Sequence, residues 1–563
     1  MSRQIVVITG KACSGKSELA DRLKKNFGFS IIRTRQTNSE IDEIEVERRS
    51  GLNTAEQPDE SKSLSIISRI QNQIESELKE ISVVIDYLSD YKQVMEFRKI
   101  YREKLIHVHL YASTQTLHER YNKTQGSINS SLPYDDIDYL KDEIIINSLR
   151  KDADVRINTE RSDSDDTLVR VAARLHLFTP PEIRCVDVLI GGQYGSEGKG
   201  NVVSFLAREY DVIVRVGGPN AGHTVASING PYTYHHLPSG SRDVNARLLL
   251  GPGMTIHLEG LLKEIRECEI GPDRLFIDPQ ATIIEHEDKK TENDGHLVST
   301  IASTGSGSGA AVTRRILERG KSTIRLARDV NELAPFVGSP RNYHGCTIDR
   351  LEDAYRNGQS VLLEGTQGSG LSLYHGTYPY VTSRDTNVAG CLAEAGISPS
   401  RVRKILMVIR PMPIRVGNPD GSSKHTSGPL KHETTFDEIA RWAKLDPEEL
   451  HGAEKTSTTH RKRRVGWFEW DQFRKACALN APTDIVLTFA DYLCSTNREA
   501  RRFEQLDSET IKFIEELERV SQAPVSLINT RFARENDGTN DLRSVIDRRN
   551  WTGRSRTGKR NES

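Results

Sequence analysis

Residues 4–17 read QIVVITGKACSGKS, a short apolar run followed by a glycine-rich segment. The run is rich in β-branched residues and predicts a buried strand. The segment after it matches G-x-x-x-x-G-K-[ST], and residues 18–23 continue as a helix. In this setting, backbone N–H groups point at phosphate oxygens and the helix N-terminus adds a partial positive charge. The stretch therefore predicts an α/β domain whose first loop binds a nucleotide.

The residue types in this loop predict a role for each position. Gly10 and Gly15 allow the chain to turn tightly around the phosphates. Lys16 is expected to reach the β- and γ-phosphates, and the Ser17 hydroxyl is expected to ligate magnesium. Asp86 ends a second buried-strand pattern, where a carboxylate is expected to contact the hydrated magnesium ion.

The next segments continue the alternation of strands and helices, with strands predicted at 106–110 and 154–158. Residues 1–177 thus resemble the nucleoside monophosphate kinase group of P-loop folds, which implies a nucleotide kinase-like domain. Arg33 and Arg35 follow the second apolar run, where such kinases hold the acceptor phosphate. Each is equally compatible with a solvated surface arginine, and the resemblance does not name the acceptor.

Two consecutive prolines separate this domain from the rest of the chain. Pro180 and Pro181 break helix and favour an extended connector. A new strand pattern follows them, so we expect a second, larger α/β domain over residues 184–549. Residues 550–563 are polar and rich in Arg, Ser and Gly, which predicts a disordered tail.

The composition is that of a soluble globular protein, with 36% apolar residues, 28% charged residues and a net charge of −1 over 563 residues. This balance predicts neither a nucleic-acid nor a membrane-surface partner. No signal peptide or transmembrane span is predicted. The seven cysteines form no CxxC pair, which disfavours a disulfide framework or a structural zinc site and indicates a cytoplasmic protein.

The second domain carries a series of glycine-rich loops that also contain reactive side chains. One such loop is common, whereas this many predict a site for several anionic ligands. In chain order the segments are GGQYGSEGKG at 191–200, GGPNAGHT at 217–224, STGSGSG at 303–309, EGTQG at 364–368, HGTYPYVTS at 375–383 and TTHRKRRVGW at 458–467.

In order and approximate spacing, these segments resemble the adenylosuccinate synthetase family over residues 184–535. The resemblance implies an α/β fold around a largely parallel sheet, a homodimer and a magnesium-dependent ligase. In the implied reaction, GTP or ATP phosphorylates the six-oxygen of a purine nucleoside monophosphate. The amine of L-aspartate then displaces that phosphate.

The resemblance also implies roles for individual side chains. The catalytic residues would be Ser196, Lys199, His223 and Gln367, with His223 as general acid because imidazole titrates near neutrality. The donor nucleotide would contact Gly195, Glu197, Gly198, Gly200 and Asp491. The acceptor nucleotide would contact Asn220, Ala221, Thr304, Gln367 and Thr382. The aspartate would contact Thr458, Thr459, Arg461 and Arg463, since guanidinium groups offer paired donors to carboxylates. The magnesium ligands would be Ser196 and Gly222 here and Ser17 in the first domain.

Three positions depart from the family pattern. Ser196 stands where the family has an aspartate that takes the N1 proton of IMP and ligates magnesium. Serine is a poorer base but leaves room for a two-amino group, and phage enzymes that resemble this family and use dGMP share the exchange. Phe489 replaces the lysine of the guanine-reading motif, so ATP or dATP becomes a credible donor. Ser306 replaces a family arginine, with Arg314, Arg315 and Arg319 as unranked substitutes.

Several interpretations stay open at this point. IMP is the default acceptor of the family, whereas Ser196 favours GMP or dGMP. The kinase-like domain would either supply the monophosphate or phosphorylate a product. A catalytically impaired nucleotide sensor is the alternative to an active enzyme, disfavoured by the presence of His223, Lys199 and Arg463. A nucleic-acid-binding role for residues 461–464 is disfavoured by the near-zero net charge.

Overall fold

The computed structural model of the chain divides into two compact units, Met1–Phe178 (the N-terminal unit) and Thr179–Ser563 (the C-terminal unit). The structure describes residues 3–33, 60–78, 81–86, 88, 90–125, 133–134, 142–180, 182–225, 231–321, 324–338, 345–418, 426–455, 461–531 and 544–554. Arg35, Thr458 and Thr459 lie outside these residues, as does the predicted tail after residue 554.

The N-terminal unit alternates strands with helices. Its strands are β1 (Ile5–Thr9), β2 (Ser30–Ile32), β3 (Val83–Ile85), β4 (Leu105–Tyr111) and β5 (Val155–Asn158). Its helices are α1 (Lys16–Phe27), α2 (Glu60–Glu77), α3 (Tyr91–Tyr101), α4 (Thr114–Gln125), α5 (Glu143–Asp152) and α6 (Ser164–Arg174), with a 3-10 helix at Arg102–Lys104.

The five strands form one parallel sheet in the order β2-β3-β1-β4-β5. All five residues of β1 are buried, because helices cover the faces of a parallel sheet. The chain leaves β1 at its carboxyl end and enters α1 through Gly10–Gly15. This placement puts the predicted phosphate loop at the edge of the sheet where ligands of α/β folds bind.

The C-terminal unit is larger and also α/β. Its strands are β6 (Val186–Gly191), β7 (Val212–Arg215), β8 (His223–Val225), β9 (Tyr232–Tyr234), β10 (Arg247–Leu250), β11 (Thr255–Ile256), β12 (Leu275–Ile277), β13 (Thr282–Ile283), β14 (Val361–Glu364), β15 (Val402–Ile409), β16 (Ile414–Val416), β17 (Glu433–Thr434), β18 (Arg463–Gly466), β19 (Asp484–Leu487), β20 (Val525–Asn529) and β21 (Val545–Asp547).

Its helices connect these strands and cover the main sheet. They are α7 (Lys199–Leu206), α8 (Leu258–Glu267), α9 (His286–Asp294), α10 (Leu297–Ile301), α11 (Ser308–Leu317), α12 (Thr347–Arg356), α13 (Val388–Ala395), α14 (Phe436–Ala443), α15 (Pro447–Ala453), α16 (Trp470–Asn480) and α17 (Ser508–Ser521). Short 3-10 helices lie at Ala207–Glu209, Ala327–Asp329, Asn331–Leu333, Ser369–Leu371, Pro399–Arg401, Ala490–Tyr492, Ser495–Glu499 and Phe503–Gln505.

The main sheet has nine strands in the order β12-β10-β7-β14-β6-β15-β19-β20-β21, all parallel except β21. Strand β6 shows how the sheet is buried on both faces. Val188 and Ile190 pack into one apolar cluster and Leu189 into the other, as the two-residue period of a strand requires. The α/β class that the sequence predicts is therefore confirmed for both units.

Five neighbouring strands of this sheet end at one edge, and four of them lead into segments that the sequence analysis singled out. β6 leads into the 191–200 loop and β7 into the 217–224 loop, while β14 ends at Glu364. β15 ends just before Arg410, and β19 ends just before Thr488. Because the carboxyl ends of parallel strands meet at one edge of a sheet, these segments lie on the same side of the C-terminal unit.

The first residues of the predicted tail make contacts within the C-terminal unit. The Trp551 indole N–H donates to Asp484 at 3.0 Å, and the Gly553 backbone N–H donates to Glu209 at 2.6 Å. Among the described residues, no helix has both the length and the apolar character that a membrane crossing needs.

Candidate active site

The first loop of the C-terminal unit is organised by a buried carboxylate. Glu197 is fully buried, and its Oε1 accepts hydrogen bonds from the backbone N–H groups of Gln193 at 3.1 Å and Gly195 at 2.8 Å. Its Oε2 lies 2.5 Å from the Lys199 Nζ. Both oxygens are therefore engaged inside the loop, so any contact of Glu197 with a nucleotide involves its backbone. For the same reason, Glu197 is a poor candidate for the base that would take the N1 proton in place of the family's aspartate.

A histidine and two charged groups form the centre of the site. The His223 Nδ1 lies 2.6 Å from the Glu364 Oε1, and the Arg215 guanidinium lies 3.2 Å from the same oxygen. Ser239 adds two donors to this carboxylate, through its backbone N–H at 2.8 Å and its hydroxyl at 2.5 Å. Arg215 also donates to the backbone carbonyl of Ala221 at 3.0 Å, which fixes the 217–224 loop beside the histidine.

The charges in this cluster are set by burial and pairing. Burial opposes ionisation of Glu364, but Arg215, His223 and Ser239 outweigh it and hold the pKa of its carboxyl at about 2. Burial lowers the pKa of His223 to about 4, with Arg215 acting in the same direction and Glu364 against it. The imidazole is therefore neutral near pH 7, and the Glu364 carboxylate orients it by accepting from Nδ1. Nε2 remains available to a ligand.

Gln367 and Thr382, which the sequence predicts to face the acceptor, lie together. The Gln367 Nε2 donates to the Thr382 hydroxyl at 2.8 Å. Its Oε1 is buried and has no partner among the described residues. Gln367 has a positive φ of 65°, a backbone conformation that costs free energy and is often found at functional sites.

Ser196 faces the predicted aspartate-binding strand. Its hydroxyl lies 3.4 Å from the Arg463 Nη2 on β18, although the two residues are 267 positions apart. Arg463 is held from its other side by Glu454, which accepts from Nη1 at 2.7 Å. Arg464, the next residue, turns instead to Glu433, at 2.8 and 2.6 Å.

A second group of residues follows β19. Asp491 is buried, its Oδ2 accepts from Arg498 at 3.1 Å, and its Oδ1 has no partner among the described residues. Burial raises the pKa of Asp491 to about 6. The Phe489 ring stacks with the Arg410 guanidinium, 4.3 Å from the ring centroid, so at most one face is left for a base.

Members of each of these groups line one cavity of about 2080 Å³, a volume larger than the 300–1,000 Å³ that is typical of a site for one small ligand. It therefore has room for two nucleotides and an amino acid. The predicted residues that line it are Gly195, Ser196, Gly198, Lys199, Gly200, Asn220, Ala221, Gly222, His223, Thr304, Gln367, Thr382, Arg463 and Asp491. Arg461 lies just before β18 and is not among the lining residues.

The phosphate loop of the N-terminal unit is closed around its lysine. The Lys16 Nζ donates to the carbonyls of Gly10 at 2.8 Å and Lys11 at 2.6 Å. Gly10 has a φ of 142°, and a Cβ there would lie 2.2 Å from the Leu110 carbonyl oxygen, so only glycine fits. Ser17 is exposed on the first turn of α1.

Asp86 is buried at the end of β3, with Arg33 3.8 Å from it. The structure therefore brings the predicted Arg33 to the same edge of the N-terminal sheet.

Comparison with known proteins decides the family. Residues 188–334 and 323–498 match the family model for adenylosuccinate synthetase, so the matches together span 188–498. The chain belongs to the adenylosuccinate synthetase family. Its kinase-like unit is separate from this match, because residues 6–136 match the model for an AAA domain. The enzyme is accordingly a nucleotide-binding carbon–nitrogen ligase of purine biosynthesis with an added P-loop unit.

The matches cover almost the full length of the relatives. The adenylosuccinate synthetase of Methanocaldococcus jannaschii is 35% identical over 366 residues, 64% of this chain and 97% of the relative. That of Pyrococcus horikoshii is 34% identical over 368 residues, 64% of this chain and 98% of the relative. The adenylosuccinate synthetase structure from Plasmodium falciparum shares the fold, with a TM-score of 0.54, 21% identity and coverage of 65% and 100%.

A phage structure is also similar to the synthetase unit. It is the cyanophage S-2L succinoaminodeoxyadenylate synthetase, which was solved with dGMP and with dATP as energy donor. It is 26% identical to this chain, with a TM-score of 0.51, and the match covers 65% of this chain and 95% of the phage chain.

The synthetase site also contains residues that sequence reasoning missed. Arg215, Ser239, Arg410 and Glu454 had no motif to mark them, and Glu364 stood in a quoted motif without an assigned role. Two of the suggested substitutes for the family arginine make other contacts within the protein. Arg314 pairs with Asp288 at 2.8 Å, and Arg315 donates to the Gln280 carbonyl and the Thr282 hydroxyl at 2.7 Å each.

The oxygen ligands expected for magnesium fit that ion in the synthetase site. Among the described residues, no cluster of three or more His, Cys, Asp or Glu side chains is placed to hold a metal. Mg²⁺ commonly takes few protein ligands and keeps waters and substrate phosphates. The Ser196 hydroxyl and the Gly222 carbonyl border the same cavity and suit an ion held chiefly by nucleotide phosphates.

Proposed function

We propose that the synthetase unit joins L-aspartate to carbon 6 of a guanine nucleoside monophosphate, with dGMP as the preferred acceptor and ATP or dATP as the donor. The observation that carries the proposal is Ser196, which replaces the family's aspartate in a site that keeps Lys199, His223, Gln367 and Arg463. The phage relative, which holds dGMP and dATP, supports it. Phe489, which packs on Arg410 in place of the family's lysine, supports an adenine donor.

The reaction has two steps. In the first, the acceptor loses its N1 proton to solvent water as its O6 takes the γ-phosphoryl group of the donor, and the donor leaves as a nucleoside diphosphate. In the second, the aspartate amine forms a bond to carbon 6 and releases one proton to solvent, while the carbon–oxygen bond breaks and inorganic phosphate departs. Magnesium would neutralise phosphate charge at Ser196 and Gly222, while Lys199 and the loop amides bind phosphate oxygens.

His223 is suited to the first step. Its Nδ1 is fixed by Glu364, so its Nε2 is the nitrogen left for the transferring phosphoryl group. An arriving phosphate anion raises the pKa of the imidazole from its low resting value, because a nearby negative charge favours the protonated form. His223 then donates a hydrogen bond to a phosphoryl oxygen as charge develops there.

The acceptor and the aspartate meet at Ser196. Gln367, with its unpartnered Oε1, faces the purine six-position, and Thr304 and Thr382 hold the 5′-phosphate. Arg463 and Arg461 bind the aspartate carboxylates together with Thr458 and Thr459. The short distance between Ser196 and Arg463 supports this arrangement, because the aspartate amine must reach carbon 6.

For the kinase-like unit we propose a nucleotide kinase activity that supplies the monophosphate or phosphorylates a product. The closed phosphate loop around Lys16 and the buried Asp86 support this activity. A cytoplasmic location agrees with seven free cysteines. Homodimer formation is proposed from the family alone.

The test incubates the protein, magnesium and isotope-labelled aspartate with IMP, dIMP, GMP or dGMP against GTP, ATP or dATP. Mass spectrometry then measures the labelled succinyl adduct for each pair. We expect the largest adduct signal from dGMP with ATP or dATP. An adduct from IMP alone would contradict the acceptor assignment, and no adduct from any pair would indicate a nucleotide sensor instead of a ligase.

A further inference from the structure

Glu454 is a buried carboxylate at the end of α15 that joins two arginines. It is 3% exposed. Its Oε1 accepts from the Arg410 Nη2 and from the Tyr492 hydroxyl, each at 2.6 Å, and its Oε2 accepts from the Arg463 Nη1 at 2.7 Å. Burial opposes its ionisation, but the two guanidinium groups outweigh burial and hold the pKa of Glu454 at about 2. Glu454 is therefore a fixed negative charge at the wall of the cavity.

This pairing decides which edge of Arg463 is left for a ligand. Nη1 is occupied by Glu454, whereas Nε is buried and has no partner among the described residues. Nη2 makes only a long contact of 3.4 Å with the Ser196 hydroxyl. A guanidinium binds a carboxylate best through two parallel N–H groups, and Nε with Nη2 is such a pair.

The other arginine ties Glu454 to the loop that carries Ser196. The Arg410 Nη1 donates to the Ser196 carbonyl at 3.4 Å, and the guanidinium stacks with Phe489 at 4.3 Å and Tyr492 at 5.3 Å. Arg410 is fully buried, so its position is fixed by these contacts. Glu454 thus links β18, the first loop and the segment after β19.

We propose that Glu454 is a positioning residue for the amino-acid substrate. By holding Nη1 of Arg463, it presents the Nε–Nη2 edge to a substrate carboxylate beside Ser196. The proposal rests on the proposed function, because it takes aspartate as the ligand of Arg463. Both carboxylate oxygens of Glu454 are engaged by Arg410, Tyr492 and Arg463, so its effect on the substrate passes through Arg463.

The first experiment compares E454Q with the matched control E433Q. Glu433 pairs with Arg464 one residue further along the same strand, so E433Q removes a more exposed ion pair of β18 whose carboxylate does not line the cavity. E454Q is expected to raise the KM for aspartate at least about tenfold, the effect of losing one charge-assisted hydrogen bond. The KM for the acceptor nucleotide should change less than threefold in both variants, and E433Q should keep the wild-type KM for aspartate.

Two further measurements separate positioning from general destabilisation. E454D keeps the charge, and we expect it to fold and to give an aspartate KM between those of wild type and E454Q. A double-mutant cycle with R463K should be non-additive, because Glu454 acts through Arg463. An additive cycle, equal effects of E454Q and E433Q, or loss of folding in both Glu454 variants would overturn the proposal.

A binding readout distinguishes this proposal from the proposed function. Aspartate should raise the thermal midpoint of the wild type in the presence of dGMP and donor, since a ligand stabilises the state that it binds. The rise should be smaller in E454Q and unchanged in E433Q. If the wild type forms no adduct but this pattern holds, the reaction is wrong and the positioning role stands. If aspartate stabilises the wild type and E454Q equally, the positioning role is wrong.

Discussion

At the scale of single residues, His223 shows how its surroundings set the charge of a functional group. Its folded-state pKa of about 4 lies below the ordinary value of 6.5, so the unfolded chain binds more protons between these two pH values. The contribution of a neutral, buried His223 to stability is complete above pH 6.5 and is lost as the pH falls toward 4.

We therefore expect the stability difference between wild type and His223→Gln to shrink as the pH falls from 7 to 5. Glutamine does not titrate, so proton uptake by the unfolded state lowers the free energy of unfolding of the wild type only. Urea unfolding of both proteins at the two pH values measures this difference. A constant or growing difference would show that His223 is not held neutral.

The same variant should lose about 10²–10⁴-fold in kcat, the usual effect of removing a positioned acid.

Asp491 offers a second prediction at this scale. Asp491 lines the cavity, and its Oδ1 has no partner among the described residues. Adenine and guanine both present N–H donors to such an acceptor. Asp491→Asn turns an acceptor into a donor on the side away from Arg498. The KM for the donor nucleotide should rise by roughly 10- to 100-fold, as a buried donor loses its partner. The KM for the acceptor should stay the same, and an unchanged donor KM would place the donor base elsewhere.

At the scale of elements, β18 presents two consecutive arginines to opposite surroundings, as a strand's alternation requires. Arg463 contacts Glu454 and Ser196, whereas Arg464 contacts Glu433 and Ser427. Arg463→Ala should raise the KM for aspartate strongly and leave acceptor binding nearly unchanged. Arg464→Ala is the matched control and should keep the aspartate KM. Steady-state kinetics of the two variants decides, and equal effects would mean that β18 only stabilises the fold.

The elements around the synthetase site show what the sequence could and could not predict. Lys199, His223 and Gln367 were found because each stands in a short motif whose residue types suit phosphate chemistry. Their partners stand far away in the chain, as Glu364 does from His223 at 141 residues. Such pairs are fixed by the order of the strands in the sheet, which a motif does not encode. Glu197, which the resemblance assigned to the donor nucleotide, turns its side chain into its own loop, where it contacts Gln193, Gly195 and Lys199.

At the scale of the whole molecule, two phosphate loops lie on two separate sheets. Lys16 closes the loop after β1, and Lys199 begins the helix after β6. Lys16→Ala should therefore abolish kinase activity and spare adduct formation, and Lys199→Ala should do the reverse. Both activities are measured on each folded variant. Loss of both activities in one folded variant would contradict two independent nucleotide sites.

We propose that Ser196 makes this synthetase a ligase for guanine nucleotides. An aspartate at this position would accept the N1 proton of either base, but its second oxygen would crowd a two-amino group, whereas serine would relieve the crowding. The most direct measurement gives one reaction equal amounts of IMP and dGMP, with labelled aspartate and ATP, and compares the two adducts by mass spectrometry in wild type and Ser196→Asp. We expect the dGMP adduct to dominate in the wild type and the IMP adduct to gain in the variant. An IMP adduct that dominates in the wild type, or a ratio that the substitution leaves unchanged, would contradict the claim.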